Sequence, residues 1–147
     1  GYISWQEGKA RTLQLVDELT KGIPILGSAA AGGLIETFAD LNEELDINEV
    51  VTKKDVFALL VNGDSMVDAF IADGDMVLME PVKDYLNLRN GTVVSALVPG
   101  CGTTLKYFFR NGKEIILEAA NKNYEKIIVN ANEIIIQGKL LAVWRKV

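Results

Sequence analysis

Residues 93–118, VVSALVPGCGTTLKYFFRNGKEIILE, hold three apolar runs separated by two turns. Val93 to Val98, Thr103 to Phe109 and Ile115 to Glu118 are rich in β-branched and aromatic residues. Such residues fit a pleated, half-buried surface, so the three runs read as strands. Pro99-Gly100-Cys101-Gly102 separates the first two, and Asn111-Gly112 the last two. Asn-Gly between apolar runs is the strongest short hairpin signal, because both residues tolerate the positive φ that a tight turn demands. Working outward, Val56 to Val61 and Met76 to Met79 are strand candidates on one side, with Ile71-Ala72-Asp73-Gly74-Asp75 as a turn between them. Asn90-Gly91 gives a second hairpin signal. Ile127 to Val129, Glu133 to Gln137 and Leu140 to Trp144 continue the series on the other side. Strands at this spacing, with no long helical period between them, predict a mostly β fold of short antiparallel strands and hairpins, a sandwich or partly open barrel.

The N-terminal part reads differently. Leu13, Leu15, Val16 and Leu19 follow a spacing that is only partly helical, so Gly8 to Lys21 fits either a helix or a linker. Lys21-Gly22-Ile23-Pro24-Ile25-Leu26-Gly27 breaks regular structure, and Ser28-Ala29-Ala30-Ala31-Gly32-Gly33 is a run of small residues. Such a run serves as a flexible connector or as a peptide able to enter a narrow cleft. Asp40 to Val51, acidic and rich in leucine, has room for one short helix.

Composition bounds the chemistry. The 147 residues suffice for one domain with its own core. Hydrophobic residues make up 49% and charged residues 24%, a soluble globular composition, and no apolar run nears the ~20 residues needed to span a bilayer. A net charge of −5 argues against a phosphate-binding surface on this chain. Contact with DNA would need residues outside it. Cys101 is the single cysteine and histidine is absent, so no internal disulfide and no Cys/His zinc site can form. These features predict a cytoplasmic protein with no metal and no cofactor. The start at Gly1, with neither an initiator methionine nor a secretory leader, reads as a piece of a longer protein.

Without histidine, a nucleophilic serine needs another base. Gly63-Asp64-Ser65-Met66 follows a strand-like run, and Lys106 is the one charge within Gly102 to Phe109. A lysine becomes a base near neutral pH only if its pKa falls by several units, which burial among apolar residues achieves. Both features also have ordinary explanations. Asp and Ser stabilise many turns by side-chain hydrogen bonds, and strand lysines often reach out to water from an edge. Chain position alone does not bring the two together.

Three blocks, in order, resemble the LexA repressor family and its relatives UmuD and the lambdoid phage repressors. Gly22 to Gly32 resembles the cleavage segment, which places the scissile bond between Ala31 and Gly32. Val61-Asn62-Gly63-Asp64-Ser65-Met66 with Ile71 to Asp75 resembles the nucleophile block and implies Ser65 as the catalytic serine. Val93 to Val98 with Thr104-Leu105-Lys106 resembles the base block and implies Lys106 as the catalytic base. The resemblance implies a signal-peptidase-like β fold preceded by a linker or helix, with main-chain N–H groups of Asp64 and Ser65 facing the oxyanion. Residues 1–21 resemble the end of an upstream winged-helix domain and its linker, and 22–147 the self-cleaving and dimerising domain. That upstream feature favours the repressors over UmuD. The implied function is repression of the SOS response, ended when a RecA filament on single-stranded DNA stimulates self-cleavage. Operator DNA would be held by an upstream domain missing here. The alternatives are a UmuD-like subunit of a translesion polymerase and a non-catalytic dimerisation domain of the same fold. A homodimer is expected through the C-terminal strands, where Ile134-Ile135-Ile136 and Leu140 to Trp144 suggest an apolar edge.

Overall fold

The computed structural model describes residues 22–25, 27–29, 35–37 and 44–147. The chain divides into two compact units, Gly1–Thr52 and Lys53–Val147. The expected domain boundary after residue 21, and the helix-or-linker segment before it, lie outside the described residues.

In the first unit the glycine- and proline-punctuated stretch forms strands where an interruption was expected. β1 (Ile23–Pro24) pairs antiparallel with β4 (Glu44–Leu45), and β2 (Gly27–Ala29) with β3 (Ile35–Thr37). Pro24 is tolerated because a two-stranded ladder has open edges, where a missing N–H costs nothing. The short helix expected within 40–51 is α1 (Asn48–Val51), and the Asp46 carboxylate accepts the Asn48 N–H at 2.9 Å at its start.

The second unit is one seven-stranded antiparallel sheet. Its strands are β5 (Phe57–Leu60), β6 (Met76–Pro81), β7 (Thr92–Val98), β8 (Gly102–Asn111), β9 (Glu114–Glu118), β10 (Ile127–Asn130) and β11 (Ile135–Trp144), in the spatial order β10-β9-β8-β7-β11-β6-β5. The 93–118 stretch supplies the contiguous run β7-β8-β9. Exposed Cys101 sits in the turn between β7 and β8. β8 and β9 meet at the expected hairpin, with Asn111 paired to Glu114. Gly112, at φ 60°, is the first of the two loop residues, where a type II′ turn requires glycine.

Two expectations are corrected. Asn90-Gly91 turns the chain but closes no hairpin, because a short 3-10 turn at Tyr85–Asn87, not a strand, precedes it. Instead it caps β8 from outside: Gly91 N–H donates to the Phe108 carbonyl, and Asn90 Oδ1 accepts from Arg110 N–H. Glu133–Gln137 and Leu140–Trp144 are not two strands. Glu133 closes a 3-10 turn at Ala131–Glu133, and Ile135–Gln137 runs on through Gly138-Lys139 into Leu140–Trp144 as β11, whose register shifts between Ile136 and Gly138 against β7 and between Leu140 and Ala142 against β6. These bulge-like shifts let one strand bend across two neighbours.

Alternation builds the core. Val77 and Met79 on β6, and Ile115 and Leu117 on β9, are fully buried, two residues apart on each strand. Two apolar clusters result. One gathers Val94, Ala96, Val98, Phe108, Ile115, Leu117, Ile134 and Ile136; the other gathers Met66, Ile71, Val77, Met79 and Ala120. Each fully buried large side chain of this kind contributes roughly 1.5–3 kcal/mol. Among the described residues, no helix is long and apolar enough to cross a membrane.

Candidate active site

Ser65 lies in the turn that leaves β5, and the turn is shaped before Ser65 is reached. Gly63 takes a φ of 94°, which L side chains rarely adopt, and its N–H donates to Asp73 Oδ1 at 2.7 Å. Met66, the next residue after Ser65, is 1% exposed and plugs the second apolar cluster. A glycine turn on one side and a buried anchor on the other leave Ser65 half-buried at the cleft wall.

Lys106 approaches from β8. β8 lies between β7 and β9, so the snorkelling available to an edge lysine is closed to it, and Lys106 is 6% exposed. Its Nζ stands 3.0 Å from Ser65 Oγ. Nζ also donates to Thr104 Oγ1 at 2.7 Å and to the Leu105 carbonyl at 3.1 Å. Burial lowers the Lys106 pKa from its ordinary value, since the charged form loses its hydration. A neutral amine has two N–H bonds and one lone pair. With the two donors spent on Thr104 and Leu105, the lone pair is left for the Ser65 hydroxyl, an arrangement that can take up its proton.

Ser65 stands at a cleft of about 230 Å³ walled by Leu59, Val61, Asn62, Met66 and Thr104, the last a hydrogen-bond partner of Lys106. Behind the serine turn the Asp64 side chain accepts from the Tyr124 hydroxyl, and Asn121 Nδ2 donates to the Asp64 carbonyl at 3.0 Å. Farther back, buried Asp75 accepts from Arg145 Nε and Nη2, both at 2.7 Å, and from the Ala72 N–H. The Arg145 guanidinium first, and the Ala72 N–H second, hold the Asp75 carboxyl at a pKa of about 2.

Ser65 and Lys106, 41 residues apart in sequence, are therefore brought together; Ala31 and Gly32 lie outside the described residues. Sequence reasoning missed Thr104 as a partner of the amine. The signal was present, because residues i and i+2 of a strand share a face. It also missed Asn121, Tyr124 and Arg145, for which the local pattern carries no sign.

Fold and side chains define a class: an antiparallel β protein that sets a serine hydroxyl against a buried lysine amine. Residues 24–141 match the peptidase S24-like family. The chain is 34% identical over 145 residues to the transcription regulator LexA of Synechocystis sp., covering 99% of this chain and 71% of that protein. It is 39% identical over 127 residues to the LexA repressor of Koribacter versatilis, covering 86% of this chain and 59% of that protein. With the LexA repressor of Thermotoga maritima it shares 34% identity over 148 residues, 99% of this chain and 73% of that protein. The chain belongs to the peptidase S24-like family and is of the LexA type.

Proposed function

We propose that this chain is the self-cleaving, dimerising part of a repressor of the SOS response, and that it cuts its own Ala31-Gly32 bond with Ser65 and Lys106. The observation that carries the reading is the 3.0 Å approach of the Lys106 amine, its pKa lowered by burial, to the Ser65 hydroxyl. Neutral Lys106 accepts the hydroxyl proton as Ser65 Oγ bonds to the Ala31 carbonyl carbon. The Ala31-Gly32 bond breaks as the lysine returns that proton to the leaving Gly32 nitrogen. Water then hydrolyses the ester left on Ser65. The N–H groups of Asp64 and Ser65 face the oxyanion, a contribution of roughly 2.7–4 kcal/mol per donor in comparable hydrolases. The single methyl of Ala31 and the bare backbone of Gly32 suit entry to a narrow cleft where a branched side chain would clash.

Because enzyme and substrate share one chain, conformation must restrain the reaction. A segment held mostly away from Ser65 is cut only when docked, and a partner that prefers the docked form shifts the population by about 1.4 kcal/mol per tenfold difference in affinity. In this reading the partner is a RecA filament on single-stranded DNA, and an upstream domain holds the operator. The LexA names of the relatives favour the repressor over a polymerase subunit.

Incubating the purified chain at rising pH and weighing the products tests the reading. Two fragments are expected, the larger beginning at Gly32, with none from Ser65→Ala. An intact wild-type chain after prolonged incubation at about pH 10, near the ordinary lysine pKa, or a cut elsewhere, would sink it.

A further inference from the structure

The loop after β9 grips the turn that carries Ser65 from behind. Asn121 Nδ2 donates to the Asp64 carbonyl at 3.0 Å, and the Val67 N–H donates to the same oxygen at 3.2 Å. The Tyr124 hydroxyl donates to the Asp64 carboxylate, and that hydrogen bond raises the Tyr124 pKa. Two more bonds tie the loop to the residues just past Ser65: Asp68 N–H to the Ala120 carbonyl at 2.8 Å, and Ala120 N–H to the Met66 sulfur at 3.4 Å. Asn121 is itself oriented, because its Oδ1 accepts from Asn123 N–H at 3.0 Å.

A trans peptide is planar, with its carbonyl and N–H pointing in opposite directions. The Asp64-Ser65 peptide is trans, and both lone pairs of its carbonyl are engaged. Its plane cannot turn without breaking both bonds. The other end of that plane is the Ser65 N–H, which has no hydrogen-bond partner among the described residues. We infer that Asn121, braced by Tyr124, is a positioning residue for oxyanion stabilisation: by fixing the Asp64 carbonyl it aims the Ser65 N–H at the place where negative charge develops. The inference rests on the self-cleavage reading above. Asn121 makes no hydrogen bond with Lys106, so its contribution is to geometry and not to proton transfer.

The test compares the wild-type chain, Asn121→Asp and Tyr124→Phe by self-cleavage rate from neutral to strongly alkaline pH, with Tm measured alongside. Asn121→Asp keeps the acceptor for the Asn123 N–H, loses the donor to Asp64 and sets a negative charge against the Asp64 carbonyl, which Tyr124→Phe does not. It is expected to lower the alkaline plateau about tenfold, less than the 10²–10³ lost when an oxyanion donor is removed outright. The pH midpoint, set by Lys106, stays where it is. Tyr124→Phe lowers the plateau by a smaller factor, again with the midpoint unmoved, and it carries the same test if Asn121→Asp does not fold. A wild-type plateau in a folded Asn121→Asp chain overturns the inference. So does a displaced midpoint with the plateau intact, which would assign Asn121 to Lys106 instead. An inert wild-type chain overturns the self-cleavage reading and this inference with it; an active wild-type chain with unaffected variants overturns this inference alone.

Discussion

A buried amine sets a tension between stability and chemistry at Lys106. Burial disfavours its charged form, so the folded pKa lies below the value of about 10.5 that the unfolded chain retains. The cost to folding is full at pH values below the folded pKa, fades as pH rises between the two, and is gone above the unfolded value. Lys106→Met, close in volume and unable to charge, is expected to raise Tm at neutral pH. Each tenfold change in the lysine's acidity is worth about 1.4 kcal/mol. Thermal melts at several pH values should show the gain shrinking toward pH 10.5; a gain independent of pH would refute the burial argument. Asp75 behaves in the opposite sense. Its carboxyl falls from 3.8 to about 2, chiefly through Arg145, so the pair's support is complete above pH 3.8 and lost as pH falls through about 2. Arg145→Gln leaves a buried carboxylate with the Ala72 N–H as its remaining donor. The acid unfolding midpoint should move upward and Tm should drop by several degrees at neutral pH, both readable by circular dichroism.

At the scale of elements, β11 carries a demanding position. A Cβ on Gly138 would sit 2.8 Å from Phe57 Cζ and 2.9 Å from the Glu80 carbonyl oxygen, and the second of these is backbone that cannot swing away. Gly138→Ala is expected to cost about 1–3 kcal/mol, the usual range for overpacking, measured as a lower urea midpoint at unchanged m-value. β11 also marks the limit of what periodicity can show. Strands β5 to β10 were legible because each is a short apolar run closed by a turn signal. Gly138 looked like a break between two strands, since nothing local distinguishes a glycine that ends a strand from one admitting a neighbour's ring at a bulge. Asn90-Gly91 failed for a related reason: its turn chemistry is local, whereas a hairpin needs a partner strand, and residues 85–87 form a 3-10 turn instead. In the candidate site, the nucleophile turn and the lone charge of β8 stood out in the sequence, and the resemblance paired them. The supports Asn121, Tyr124 and Arg145 are polar residues in unremarkable surroundings, and only tertiary proximity gives them meaning.

At the scale of the molecule, the apolar C-terminal segment, expected to form an edge, is a strand that crosses between two neighbours. β11 pairs with β7 over Ile135–Lys139 and with β6 over Gly138–Trp144, and the outer strands of this sheet are β5 and β10. Along Leu140–Trp144 the ladder partner is β6 alone, so one side of that half has no strand partner among the described residues. A homodimer, proposed here by likeness to LexA repressors, would use this segment and the apolar side chains exposed beside it. Ile135, 60% exposed, stands opposite Leu97, 38% exposed, and Trp144 is 59% exposed. Ile135→Asp and Trp144→Asp should weaken self-association in sedimentation while leaving intramolecular cleavage intact; a wild-type chain that sediments as a monomer at tens of micromolar excludes the dimer. The central place of β11 also bears on how the protein is made. It is the last of the seven strands in chain order, yet in the sheet it alone joins β5-β6, beside Ser65, to β7-β8-β9-β10, which bear Lys106. Within the sheet, the two halves share no ladder until β11 is laid between them. On the self-cleavage reading, a growing polypeptide that has not yet reached β11 is expected to hold Ser65 and Lys106 less closely and to leave its own backbone uncut.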